Sequence, residues 1–186
     1  GINSESNFEQ KARIIKILIH EKIHILQRLN KVDFNNLYTK YWNFTRVNSI
    51  RNRKYISNLI RNNPDADNNN YVFKLNDDTY ILPLSIYNKD YKSISNLEEV
   101  EYVGVYIKKE NNIYTISLPI KMEKLNNIEK YYNFFGKSDN HYHPNELSAE
   151  LISDYYSKYI NSKLNSNNKS IPKGAKLLTK WFENVL

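Results

Sequence analysis

The feature that most constrains this chain is a block of four strand-like runs enclosed by helical patterns. YVFKL, TYILPLSIY, VEYVGVYIK and NIYTISLPI follow one another between residues 71 and 120, rich in Tyr, Val and Ile. Asn76 to Asp78 and Glu110 to Asn112 separate neighbouring runs and read as hairpin turns, because short polar links tie successive strands into antiparallel pairs. A strand block with helices before and after it makes an α+β domain, with helices flanking a small antiparallel sheet. We read residues 1–186 as one domain without internal repeats.

Residues 7–30 carry a helical period. Ile15, Ile19, Ile23 and Leu26 fall on one side, joined by Phe8 and Ala12, with Ser6 or Asn7 placed to cap the start. Residues 34–62 read as two further helical pieces, with Leu37, Tyr41 and Phe44 spaced for one face. RNNPDADNNN (61–70) is a loop, since Pro64, two aspartates and the asparagines around them all favour turns. After Lys121 the pattern is helical or irregular. A second long helix starts near Pro144, with Leu147, Leu151 and Tyr155 on one stripe. Residues 165–174 read as a linker to a short closing helix bearing Trp181, Phe182 and Leu186.

Composition narrows the chemistry. The 186 residues include no Cys, which excludes disulfide scaffolds and thiolate metal sites, so any metal falls to His, Asp or Glu. The net charge of +7 permits an anionic partner. Acidic residues are mixed with the basic ones along the chain, however, and an AT-rich coding bias explains the joint excess of Asn, Lys, Ile and Tyr. Nucleic acid is therefore set aside as the main partner. No apolar run has the length of a membrane span, and the first ten residues are too polar for a signal peptide. A first residue other than Met points to a processed chain or an excised piece.

All four histidines lie in two places. His20 and His24 sit four apart on the first helix, so both rings can point at one ion. Glu21 is about a third of a turn away, within reach of a water on that ion. His141 and His143 stand at the entrance to the second long helix, just before NELSAE, which puts Glu146 and Glu150 on one helical face. A catalytic zinc takes three protein ligands and keeps one position for water. Glu146 suits the third ligand, and Glu150 suits an acidic group that holds a ligating imidazole by its other nitrogen. Gln27, one turn beyond His24, either orients a ligand or faces solvent.

His20-Glu21-x-x-His24 with Asn145-Glu146-x-x-Ala149-Glu150 resembles the zincin metallopeptidases, in particular the gluzincin branch that includes thermolysin-like enzymes and anthrax lethal factor. HEKIHILQR, RNNPDADN and HPNELSAE together also look like uncharacterised zincin-like proteins of large DNA viruses, which would place the chain in a virion or an infected cell. The resemblance implies a zincin-like fold, two motif helices on a small, mostly antiparallel sheet. It implies Zn2+ on His20, His24 and Glu146, and Glu150 as partner of a zinc-bound histidine. It implies a peptide or protein substrate, with Glu21 as general base. Tyr142 and His143, next to Glu146, are the favoured donors to the oxyanion, with His141 a further candidate. His143 is alternatively a third ligand or a helix cap. In common zincins the sheet precedes the first motif helix. Here it follows, so the sheet is permuted into residues 71–118 or an upstream segment or partner chain supplies one. Two other readings stay open: a non-catalytic zincin-fold module with a structural or virion role, and a basic nucleic-acid-binding module.

Overall fold

The computed structural model describes residues 4–66, 70–87, 100–137, 140–162 and 172–185. Helix α1 (Ser4–Leu29) leads into α2 (Lys31–Asn36), a π-turn (Leu37–Tyr41) and strand β1 (Phe44–Val47). Two 3-10 turns precede β2 (Asn70–Lys74), β3 (Thr79–Tyr87), β4 (Val100–Glu110), β5 (Ile113–Ile116) and β6 (Met122–Lys124). Helices α3 (Glu129–Phe135), α4 (Pro144–Ser162) and α5 (Lys173–Val185) complete the described chain. The architecture is α+β, as the strand block between helical patterns requires.

The sheet is antiparallel throughout, ordered β1-β2-β3-β4-β5, and β6 shares the β5 side of the long strand β4. Register aligns Phe44, Phe73, Ile81 and Tyr106 in one row across four strands. That row faces the helices, where Phe44, Phe73, Ile81, Leu37, Trp42, Tyr131, Phe135, Leu147 and Ile152 form the larger core. The opposite face buries Val72, Leu82, Leu84, Val105, Ile107 and Ile116. Residues 50–61 cover it. Arg51 bridges to Thr115 on β5 and Ile60 bridges to Ile86 on β3, so this short strap crosses the sheet and seats Ile50 and Ile56 beneath it. Both sheet faces are therefore dry, which explains why β3 is an almost unbroken apolar run. Pro83 is tolerated inside β3 because its missing N–H lies on the side away from β4, where the Ser85 carbonyl of like parity accepts from Arg61.

Several expectations are corrected. Helix α1 already runs at Ser4, so Ser6 and Asn7 lie inside it; the Phe8 side chain is outside the described residues. Ile23 is buried and Ile19 and Leu26 pack against the core, but Ile15 is 38% exposed. Phe44 begins a strand rather than extending a helix, because Asn43 takes positive φ and turns the chain into the sheet edge. Met122–Lys124 adds a strand that the sequence reading missed. Tyr155, expected on the buried stripe of α4, is half exposed. Helix α5 starts at Lys173, two residues inside the expected linker, whose residues 165–171 lie outside those described, as do Leu186 and the side chain of Phe182. Asn111 and Asn112 both adopt positive φ at the β4–β5 turn, the backbone a tight hairpin needs.

Helices α1 and α4 pack against each other through Lys16–Gln27 of the first and Asn145–Asp154 of the second. Ser148 and Ala149 are fully buried and small, which lets the two backbones approach. This contact sets the distance between the two motifs. No helix among the described residues is long and apolar enough to cross a membrane.

Candidate metal centre

Three polar side chains converge where α1 meets α4. His20 and His24 project from one face of α1, and Glu146 faces them from the first turn of α4. His24 and Glu146 are 3% and 5% exposed, so the burial must be offset by specific partners. His20 Nε2 lies 3.1 Å from His24 Nε2 and 3.4 Å from Glu146 Oε2, and His24 Nε2 lies 3.7 Å from Glu146 Oε1. Ligands on a tetrahedral ion at bond lengths of about 2.0–2.1 Å are separated by roughly 3.3 Å. The separations of 3.1, 3.4 and 3.7 Å are close to that spacing, the last two reaching different oxygens of Glu146, and one ligand atom from each of the three residues lies within 4.8 Å of the others.

The second test is where the lone pairs point. Gln27 is buried, and its amide N–H groups donate to the Asn145 carbonyl and to Ser148 Oγ, both at 2.8 Å. A backbone carbonyl can only accept, so the Gln27 amide orientation is settled, and Oε1 must face His24 Nδ1 at 2.9 Å. His24 therefore donates from Nδ1, and its Nε2 lone pair faces His20 and Glu146. Of the two sequence alternatives for Gln27, the geometry excludes the solvent-facing one: the side chain is buried and orients the His24 ring. The chain continues inward: Ser148 Oγ, 3.1 Å from the Asn145 carbonyl, also lies 3.0 Å from the Tyr38 hydroxyl, which is wholly buried and kept protonated by that burial.

His20 is held from the other side. Its Nδ1 is 3.7 Å from Glu150 Oε2, an ion-pair distance beyond hydrogen-bond reach, while Lys16 binds Glu150 Oε1 at 2.7 Å and Asp154 at 2.6 Å. The imidazole's pKa is raised, first by its hydrogen bond to Glu146, against the opposing effect of burial, with the charges of Glu146, Glu150 and Glu21 adding to the rise. The centre thus favours positive charge, as a cation site must. Glu21 itself lies on the exposed side of α1 beside His20.

Asn63, from the loop between the strap and β2, was not singled out by sequence reasoning. Its amide donates to Glu146 Oε1 at 2.9 Å and to the Tyr142 hydroxyl, so one side chain ties the carboxylate to the tyrosine. The signal was present in RNNPDADN but read only as turn chemistry. Asn63 Oδ1 does accept from the Asp65 N–H at 3.0 Å, and the turn it makes aims the amide at the site. Asp65 pairs with Arg28 on α1, and its carbonyl accepts from Asn145 at 2.8 Å, pinning the loop to both helices.

Tyr142 is buried, stacked on Tyr102 at 5.1 Å, and burial pushes its hydroxyl up to about 12. His143 and His141 are elsewhere. His143 Nδ1 accepts the Asn145 N–H at 3.2 Å and its carbonyl accepts from Leu147, which is a helix N-cap. Neither is part of the triangle. His141 is buried beside Phe135, with no hydrogen-bond partner for Nδ1 among the described residues. No family model, curated protein or solved structure matches the chain.

Proposed function

We propose that this protein is a zinc-dependent metallopeptidase of the gluzincin type, with His20, His24 and Glu146 as ligands. The observation that supports this reading most is the convergence of two imidazole nitrogens and the Glu146 carboxylate within 4.8 Å of one another, with one imidazole held by Gln27 so that its Nε2 lone pair faces the others. The donor set of two nitrogens and one carboxylate suits zinc, and the same set serves iron(II), so metal identity belongs in the test. When bound, zinc supplies a Lewis acid and lowers the pKa of its water to about 7.

The chain's own residues would do the rest. Glu21, exposed beside His20, takes the proton of the attacking water, a role worth roughly 10²–10⁴-fold in rate. Tyr142, protonated at neutral pH, donates to the oxygen that gains charge at the scissile carbonyl. Asn63 holds Tyr142 and Glu146 in register, so ligand and donor move as one unit. Glu150 holds the far side of His20, with Lys16 fixing the carboxylate's orientation.

The test is metal analysis together with a peptide-cleavage assay on wild type, Glu21→Gln and Glu146→Ala. Glu21→Gln is expected to retain zinc and lose cleavage, and Glu146→Ala to lose most of its zinc. Stoichiometric zinc without cleavage in wild type would instead support the non-catalytic module, and a protein that takes up no zinc ends the reading.

A further inference from the structure

Strands β2 and β3 pair at only two positions, Phe73 with Ile81 and Lys74 with Tyr80. Beyond them no ladder joins Asn70–Val72 to the rest of β3, and a recess of about 90 Å³ lies there, lined by Asn70 of β2 and residues 82–85 of β3. The strap and the loop after it complete the lining with Arg53, Arg61 and Asn63. The volume is several times the roughly 10–15 Å³ that one water needs, and well below the roughly 300–1,000 Å³ of sites for larger ligands. It fits one small group.

Three features set the chemistry of that group. The Ser85 hydroxyl is buried, and it has no hydrogen-bond partner among the described residues. Arg53 reaches from the strap to β2, where its guanidinium donates to Asn70 Oδ1, a neutral acceptor. Burial lowers the pKa of Arg53 and no acidic group opposes that effect, so its charge is partly desolvated and uncompensated. Arg61 donates its backbone N–H to the Ser85 carbonyl at 2.9 Å, and its charge acts on the Tyr142 hydroxyl, which also lines the recess. No ion pair among the described residues involves Arg53 or Arg61, and no Asp or Glu among them lines the recess. A partly buried charge without a counter-charge is costly, and a buried hydroxyl without a partner adds to that cost.

We propose that the recess between β2 and β3 binds a small oxyanion, held by Arg53, Arg61 and Ser85. A guanidinium matches the oxygens of phosphate and of carboxylate alike, so charged oxygen is the shared chemistry, whether it arrives as a free ion or on a peptide side chain. Asn63 donates to Glu146 and to Tyr142 and lines the recess, so an occupant lies against the side chain that holds the third proposed ligand. Binding itself does not depend on the metallopeptidase reading.

The test is equilibrium dialysis of the full chain against radiolabelled inorganic phosphate, at an ionic strength held constant with chloride. Wild type should take up one phosphate per chain, saturably, and sulfate should displace it. Arg53→Gln and Arg61→Gln should each weaken binding by at least about tenfold, the loss of one charge-assisted hydrogen bond, and Arg61→Lys should recover part of it. Ser85→Ala should weaken it by a smaller factor, about threefold. Lys22→Gln, at an exposed position of α1, and Glu146→Ala should both stay within about threefold of wild type. N-acetylated, C-amidated hexapeptides with one phosphoserine or one Glu, each beside a Ser or Gln twin, serve as competitors. Displacement of the label by a charged peptide and not by its twin assigns the oxyanion to a peptide side chain; displacement by sulfate alone assigns it to a free ion. Absence of saturable binding, or binding that survives both Arg→Gln changes, would overturn the proposal. So would loss of binding in Glu146→Ala with retention in Arg61→Gln, since the phosphate would then sit at the metal centre. Phosphate bound through Arg53 and Arg61 in a protein that takes up no zinc would sink the proposed function and leave this site standing.

Discussion

The two histidine pairs have equal numbers and similar clustering in sequence, yet only one pair converges. His20 and His24 stand four apart on a continuous helix, which stacks their rings on one side and brings both Nε2 atoms to 3.1 Å. His141 and His143 stand two apart in the turn that feeds α4, where no helical periodicity aligns them. His141 goes into the aromatic core near Phe135, and its backbone carbonyl accepts from Tyr131. His143 turns to the helix start and lies edge-on to Tyr71 at 5.8 Å. Clustering along the chain is thus a poor proxy for convergence in space. The spacing rule of the element that carries the residues decides the outcome.

Replacing one member of each pair should separate them most sharply in metal binding. His24→Ala removes one of the three proposed ligands, and if a binding free energy on the order of 10 kcal/mol is shared by a few ligands, affinity falls by more than about 100-fold. His141→Gln, by contrast, should leave zinc affinity at pH 7 within about threefold. Competition titration against a chromophoric chelator measures both. Loss of zinc in His141→Gln would merge the pairs into one site.

The pairs should also differ in acid. Burial, as the largest cause, pushes His141 down to about 4, from 6.5 for a free imidazole. Between pH 6.5 and 4 the unfolded chain binds a proton that the folded chain refuses, so unfolding is favoured as pH falls. The contribution is absent above about pH 6.5 and reaches roughly 3 kcal/mol of lost stability near pH 4. Urea unfolding of metal-free protein in chelator, at pH 7 and pH 4.5, should show this loss in wild type and a shallower one in His141→Gln. Equal acid sensitivity in both would show that His141 titrates normally.

Much of this was legible from residues alone, for reasons that also explain the misses. The i, i+4 spacing of His20 with His24, and of Glu146 with Glu150, is local geometry and survives folding intact. The hairpin turns were legible too, since asparagine tolerates the positive φ that Asn111 and Asn112 adopt. What failed was long-range. Phe44–Val47 and Met122–Lys124 are strands only because β2 and β4 offer edges to them, and their short runs carry no period of their own. The exposed side of α1 misleads in the same way. Ile14, Ile17, Leu18, Ile25 and Leu29 are as apolar as the inward residues, yet all are at least half exposed, while the polar His24 and Gln27 are buried. The polar residues go inward because α4 supplies partners for each of them, Glu146 for His24 and Asn145 with Ser148 for Gln27, and the Asn63–Asp65 loop in turn holds Glu146 and Asn145; that pairing is invisible until the elements meet. Asn63 was missed for that reason.

The smallest difference between the pairs lies at His143. As the cap of α4 it satisfies one backbone donor, so His143→Ala should cost about 1 kcal/mol of stability, within the range of roughly 0.5–2 kcal/mol for removing a cap. His143→Asn can accept the same N–H and should recover most of that loss. Neither change should move zinc affinity beyond about threefold, because the ring's accepting nitrogen faces the helix start and not the Glu146 carboxylate. Thermal unfolding of the metal-free variants gives the first quantity and chelator competition the second. A variant at 143 that keeps its stability but sheds zinc would mean that this histidine reaches the metal after all, and the contrast between converging and diverging pairs would no longer hold.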